Sequence, residues 1–179
     1  PETTSEYAKD YFTKVFEAAR TLDPQNRPLT GAFEKNSAPD KCRCYQLCDF
    51  ICLNRYYGWY ISGGAEMEEA EVKFRAEMDK WAAKKLNVPF VFTEFGTDTL
   101  ATEHKLPAIM WSQEYQNEYL AMNFSVFDSY DFVQGELVWN FADFQTSEGV
   151  MRVNGNKKGI FTRQRQPKDA AFTFKRRWE

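Results

Sequence analysis

Pro89-Phe90-Val91-Phe92-Thr93-Glu94-Phe95-Gly96 is the stretch on which the fold turns. From Pro89 to Thr93 it is continuously apolar or β-favouring, and it ends in a carboxylate, an aromatic ring and a glycine. Such a run suits a strand covered on both faces, as in a parallel sheet. The segments on either side are helical. Met67 to Leu86 is a long charged stretch with helix-forming residues, and Ser112 to Tyr130 is a second. Working outward, Phe50 to Tyr57 and Gly135 to Phe141 have the composition of further buried strands, and Leu29 to Phe33 that of a short one. Ser5 to Leu22 repeats apolar residues at Ala8, Tyr11, Phe12, Val15, Phe16, Ala19 and Leu22, a helical spacing, with Ser5 placed to cap it. Pro24 and Pro28 punctuate its end. A last helix is predicted from Lys168 to Trp178.

Strand and helix therefore alternate, which predicts an α/β fold with parallel strands and right-handed crossovers. Polar side chains gather at the C-terminal ends of the strands: Asn54, Tyr56, Glu94 and Asn140. In a (β/α)8 TIM barrel that rim carries the chemistry, and a whole barrel needs about 250 residues. Four strands in 179 residues account for half of one.

The charge is nearly balanced, 23 Lys plus Arg against 26 Asp plus Glu, which excludes the clustered basic excess of a nucleic-acid binder. No apolar run approaches the ~18 residues needed to span a membrane. Pro1 to Ser5 lacks the basic and apolar regions of a signal peptide, and without an initiating Met it reads as a cut or processed end. Aromatic residues make up 17% of the chain, which fits either a bulky core or a site that stacks on the flat faces of sugars. Cys42, Cys44, Cys48 and Cys52 form one cluster without the second, distant pair of a zinc site. No metal is expected there, and reduced thiols in a cytoplasmic protein are the default reading. Asn123-Phe124-Ser125 is a glycosylation sequon inside a predicted helix, and is read as chance. A loop role, not a catalytic one, is expected for His104, the single histidine.

Four stretches carry possible chemistry. Glu94 closes a buried strand, where a carboxylate is costly unless it faces a cleft, although a solvated or salt-bridged strand-end Glu fits the position equally. Asn54-Arg55-Tyr56-Tyr57-Gly58-Trp59-Tyr60 offers amide, guanidinium, phenol and indole at a strand exit. It suits sugar hydroxyls and CH faces, or an aromatic plug. In Val138-Trp139-Asn140-Phe141 strand alternation allows Trp139 or Asn140, not both, to face inward, and Trp139 is either a pocket wall or core. Arg152-Val153-Asn154-Gly155-Asn156-Lys157-Lys158-Gly159 holds three cations and two amides between glycines, the makings of an anion site or of a solvated basic loop.

Taken together, these stretches, with Met110-Trp111-Ser112-Gln113-Glu114-Tyr115-Gln116, Gly135-Glu136-Leu137-Val138 and Gly159-Ile160-Phe161-Thr162-Arg163, resemble the family 2 glycoside hydrolases over nearly the whole chain. The run from Asn156 to Pro167 is similar to the β-glucuronidases within that family rather than to its β-galactosidase-like or mannosidase-like members. The resemblance implies a jelly-roll-like domain, an immunoglobulin-like domain and a (β/α)8 barrel, of which these residues are about strands five to eight. The sandwich domains and the first half-barrel then lie outside this chain. It makes Glu94 the nucleophile, puts Asn54 and Tyr56 near the reacting ring, and makes Trp139 an aromatic wall. Tyr60, Arg152, Asn156 and Lys158 become the readers of a glucuronic acid carboxylate. The implied reaction is retaining hydrolysis of β-glucuronides, with no metal or organic cofactor and with the rest of the same enzyme chain as partner. A homo-oligomer, commonly a tetramer, is implied for the whole enzyme.

Two departures stand out. The family's general acid/base is a Glu in an Asn-Glu-Pro sequence, which matches a position immediately before Pro1; Glu2 falls on the wrong side of that proline. These residues alone are therefore expected to be inactive, and a non-catalytic carbohydrate-binding or structural barrel remnant is the rival reading. Phe95 stands where relatives often carry Tyr, which removes a hydroxyl near the nucleophile.

Overall fold

A computed structural model describes residues 2–179. Four strands, β1 (Ala32–Phe33), β2 (Ile51–Asn54), β3 (Phe90–Glu94) and β4 (Val133–Glu136), form one all-parallel sheet in chain order. Four α-helices accompany them: α1 (Glu6–Leu22), α2 (Met67–Ala83), α3 (Gln113–Asp128) and α4 (Asp169–Trp178). This is the half-barrel architecture the sequence predicts.

Local rules account for the helices. The Ser5 hydroxyl accepts the Ala8 amide at 3.1 Å and starts α1, and Ser112 caps α3 in the same way through the Tyr115 amide at 3.2 Å. In α2 the buried residues Ala70, Phe74, Glu77, Met78 and Trp81 recur at helical spacing and face the sheet. Helix α3 is buried on most of its circumference, because α2 and α4 flank it. The core lies between sheet and helices. Phe92 stacks on Phe127 with ring centroids 4.1 Å apart, Phe74 meets Phe92 edge-on at 5.5 Å, and Phe90 meets Trp81 at 5.5 Å. Arg177 ties α4 to β4 and α3 through Glu136 at 3.1 Å and Asp128 at 2.6 Å.

Several expectations need correction, beginning with the strand expected from Phe50 to Tyr57, which is confined to β2, Ile51–Asn54. Strand β1 is two residues long and does not begin at Leu29. Strand β4 runs from Val133 to Glu136, not from Gly135 to Phe141, and it is a partly exposed edge rather than a strand covered on both faces. Past Glu136 the amides of Leu137 and Trp139 still reach the Phe92 and Phe95 carbonyls, at 2.7 and 2.9 Å. Asn140 and Phe141, however, bond to the 158–161 loop. Within this segment Phe141 packs on Phe161 while Leu137 stays exposed, and because β4 has already ended the strand alternation expected at Trp139 and Asn140 does not apply. The stripe predicted on α1 is only partly covered as well: Ala8 is buried, while Tyr11, Val15 and Leu22 are exposed.

All four cysteines are free and buried. Burial is the main cause that pushes the Cys44 and Cys48 thiols up to about 11, so at neutral pH they pack as protonated, inert groups. Asn123 is fully buried, with its side-chain amide donating to the Tyr119 carbonyl at 2.8 Å, so its sequon cannot be reached. Among the described residues no helix is long and apolar enough to cross a membrane.

Arg55 sets the end of β2. Its side chain has no exposed surface, and Nε and Nη2 donate to Glu77 of α2 at 2.6–3.0 Å. Nη1 donates to the Phe33 and Asn54 carbonyls at 2.7 and 2.9 Å. The Glu77 carboxylate also accepts the Tyr57 hydroxyl at 2.8 Å and the Trp81 indole N–H at 3.2 Å. Glu77→Ala leaves a buried guanidinium unpaired and should cost about 3–5 kcal/mol. The measurement is the unfolding midpoint of the barrel in the complete enzyme; a midpoint equal to wild type would contradict the role given to this pair.

Candidate active site

The site begins where β2 and β3 end. Leu53 pairs with Phe92, but Asn54 pairs with Glu94, so β3 holds one extra residue opposite Asn54. That bulge breaks strict alternation and re-aims side chains at the rim. Thr93 turns its hydroxyl onto the Asn54 side-chain oxygen at 2.6 Å, and Glu94, half-buried, receives the Tyr56 hydroxyl on Oε2 at 2.8 Å. Phe95 returns to the helix side and packs against Phe124, Phe127 and Phe174. Gly96 is obligatory at this exit, since a Cβ there would collide with the Trp139 carbonyl oxygen.

Asn54, Tyr56, Tyr60 and Glu94 line one cleft of about 220 Å3, with Ile61, Glu34 and Lys35. Burial, then the hydrogen bond and charge of Glu94, push the Tyr56 phenol far above its ordinary range. It therefore stays a proton donor to the carboxylate. The Tyr56 and Tyr60 rings meet edge-on at 5.1 Å, so two phenols form one wall.

The predicted anion loop lies against that wall. The Lys158 ammonium sits 4.8 Å from the Tyr60 ring centroid, 5.1 Å from Trp59 and 5.9 Å from Tyr56. Arg152 donates to the Tyr60 hydroxyl at 3.3 Å. Burial alone would raise the Tyr60 phenol, but Lys158 and Arg152 outweigh it and hold that group below its usual value. Asn156 is buried and accepts the Lys158 backbone N–H at 3.0 Å, fixing the turn that carries the lysine. A Cβ on Gly159 would strike the Asp143 amide and the Phe161 carbonyl, so only glycine lets the loop pass.

Sequence reading missed Asp98. It is 1% exposed, accepts the Lys157 amide at 2.8 Å, forms an ion pair with the Lys158 ammonium, and lies 3.8 Å from Arg152. Two cations thus share one carboxylate, leaving one positive charge in excess within this group of three. The only signal in the sequence is an acidic residue in Gly96-Thr97-Asp98-Thr99, which turns out to be a fully buried segment. Glu34, Lys35 and Thr93 were likewise unforeseen. Arg55, part of the predicted recognition stretch, is withdrawn into the core pair with Glu77. Trp139 does not line the cleft; its indole stands on the rim, 36% exposed and edge-on to Phe144 at 6.1 Å. His104 binds Glu114 at 2.8 Å in an exposed loop, and Glu114 pushes its imidazole pKa upward. With Glu114 and Asp169 it forms the single metal-like grouping among the described residues, and no cysteine takes part in it.

Residues 2–179 match the family model described as glycosyl hydrolases family 2, TIM barrel domain. A β-glucuronidase from Paenibacillus borealis is 47% identical over 98% of the chain, and the Homo sapiens β-glucuronidase 41% identical over 99%. The chain spans 29% and 27% of their respective lengths. The solved β-glucuronidase from Ruminococcus gnavus, bound to D-glucuronic acid, is 74% identical with a TM-score of 0.99, over all of this chain and 31% of that one. The same enzyme has been solved with uronic isofagomine.

Proposed function

The chain belongs to glycosyl hydrolases family 2, and from that premise we propose that it forms strands five to eight of a catalytic barrel that cleaves β-D-glucuronides to glucuronic acid and an alcohol or phenol. The observation that carries the substrate is the cationic cluster beside the Glu94 cleft, in which Lys158 is buried and Arg152 partly exposed. Lys158 and Arg152 against Asp98 leave room for one more negative charge, which a uronate carboxylate supplies and a neutral sugar does not. Asn156 and Tyr60 complete the carboxylate reader, Asn54 and Tyr56 hold the ring, and Trp139 walls the rim.

In this reading Glu94 attacks the anomeric carbon as the bond to the leaving oxygen breaks, giving a covalent glycosyl-enzyme. The Tyr56 hydrogen bond on Oε2 orients the carboxylate and leaves Oε1 for the attack. A second carboxyl group, about 5–5.5 Å from the first in a retaining enzyme, protonates the leaving oxygen and then activates water. By resemblance that group lies before Pro1. Two carboxylates suffice, and the route uses neither metal nor organic cofactor. The first half-barrel would cover the open edges of β1 and β4 and the bare stripe of α1.

Three outcomes test the proposal. In the complete enzyme, Glu94→Gln should lower turnover of an aryl glucuronide on the order of a thousandfold or more; a wild-type rate would refute the nucleophile. Lys158→Ala should reduce kcat/KM for the glucuronide at least about tenfold more than for the matching glucoside. Equal losses would count against carboxylate recognition. A purified polypeptide of these 179 residues should not hydrolyse an aryl glucuronide, and measurable hydrolysis would remove the need for a second carboxyl elsewhere.

A further inference from the structure

Asp98 is not itself among the groups expected to meet the sugar, but it touches two that are, Lys158 and Arg152, and it is the most completely enclosed carboxylate around the site. It leaves β3 four residues after Glu94 and meets a lysine that arrives 60 residues later in the chain. Its two oxygens divide the work. Oδ1 accepts the Lys157 backbone amide at 2.8 Å and so anchors the loop, while Oδ2 faces the Lys158 ammonium and, at 3.8 Å, Arg152. Lys158 itself is 1% exposed, with Tyr56, Tyr60 and Trp59 around its ammonium.

A lysine ammonium enclosed by aromatic rings needs a fixed anion to stay both charged and in place. Without one it is free to swing toward solvent, which withdraws the cation that a uronate carboxylate would meet. The aromatic rings attract the cation but do not fix its direction, whereas a carboxylate hydrogen bond does. We propose that Asp98 is the positioning residue for uronate recognition, holding the Lys158 ammonium in place and aimed so that the carboxylate of the sugar, not its neutral hydroxyls, decides what is hydrolysed. This inference rests on the glucuronide reading above and adds to it a residue that acts through Lys158.

The test is a double-mutant cycle in the complete enzyme, read as the ratio of kcat/KM for an aryl glucuronide to that for the matching aryl glucoside. Asp98→Asn is expected to lower that ratio by about tenfold or more. In a Lys158→Ala background the same substitution should lower it no further, because the lysine it acts through is gone. An unchanged ratio in Asp98→Asn, with both substrates losing alike, would reduce Asp98 to a general structural role. Losses of ratio that multiply across the cycle would overturn its action through Lys158. Should Asp98→Asn not fold, Asp98→Glu, which keeps the charge and displaces it by one methylene, should give a smaller loss in the same ratio; no change of ratio there overturns the proposal. If the wild-type enzyme shows no preference for glucuronide over glucoside, the functional reading itself fails. A wild-type preference with an unchanged ratio in the variants sinks only the role of Asp98.

Discussion

A guanidinium with no exposed surface lies under the candidate site, and its burial constrains everything above it. Arg55 must have its charge and donors met inside the protein. Glu77 supplies the charge from α2, and the Phe33, Ser37 and Asn54 carbonyls take the remaining donors. One side chain thereby locks the exits of β1 and β2 to the first turns beyond them and to the flanking helix. Because Arg55 points to the helix side, its neighbours Asn54 and Tyr56 point the other way, toward the cleft. Such a pair adds little net stability over an apolar replacement, and its value here lies in the geometry it imposes on its neighbours.

A second pair of buried charges does for the loops what Arg55 does for the strands. The Lys168 ammonium, fully buried, donates to the Asp143 carboxylate at 2.9 Å and to the Thr99 and Lys157 carbonyls at 2.7 and 2.8 Å. Asp143 also accepts the Gly159 amide at 3.0 Å. Burial pulls Lys168 down and pushes Asp143 up, while each partner works to keep the other charged. With Asp98 holding Lys157 and Lys158, the segment from Asn156 to Gly159 is pinned from below at both ends. Arg152, by contrast, stands on the outer part of that loop, near the exposed Val150, Met151 and Val153. The two cations beside Asp98 therefore differ: Lys158 is fixed by the fold and Arg152 reaches in from the surface.

Between the two lies the bulge at Thr93. A regular strand would send Thr93 and Glu94 to opposite faces. The extra residue lets Thr93 hold the Asn54 amide group while Glu94 meets Tyr56, so β2 and β3 present amide, phenol and carboxylate to one cleft. The Glu94 carboxylate and the two cations beside Asp98 then share a wall, because Tyr60 packs edge-on to Tyr56 and takes a hydrogen bond from Arg152.

Much of this was readable along the chain. Helix spacing, the Ser5 and Ser112 caps and the apolar run before Glu94 are local signals, and they determined the α/β alternation, the parallel order and the strand-end placement of Asn54, Tyr56 and Glu94. The composition of the glycine-framed basic loop was compatible with an anion site or a solvated loop, and only the family resemblance singled out Lys158. Other features depend on which distant segments meet, and no local period encodes that. Past Glu136 the chain leaves the sheet by stages, and Asn140 and Phe141 bond instead to the 158–161 loop. Arg55 belongs to the core because Glu77 comes to it, and Asp98 joins the site because a lysine 60 residues away descends onto it. Propensity and periodicity are properties of neighbours in sequence, and they determined the elements. Charge compensation in a low-dielectric interior is a property of neighbours in space, and only the tertiary structure decided it.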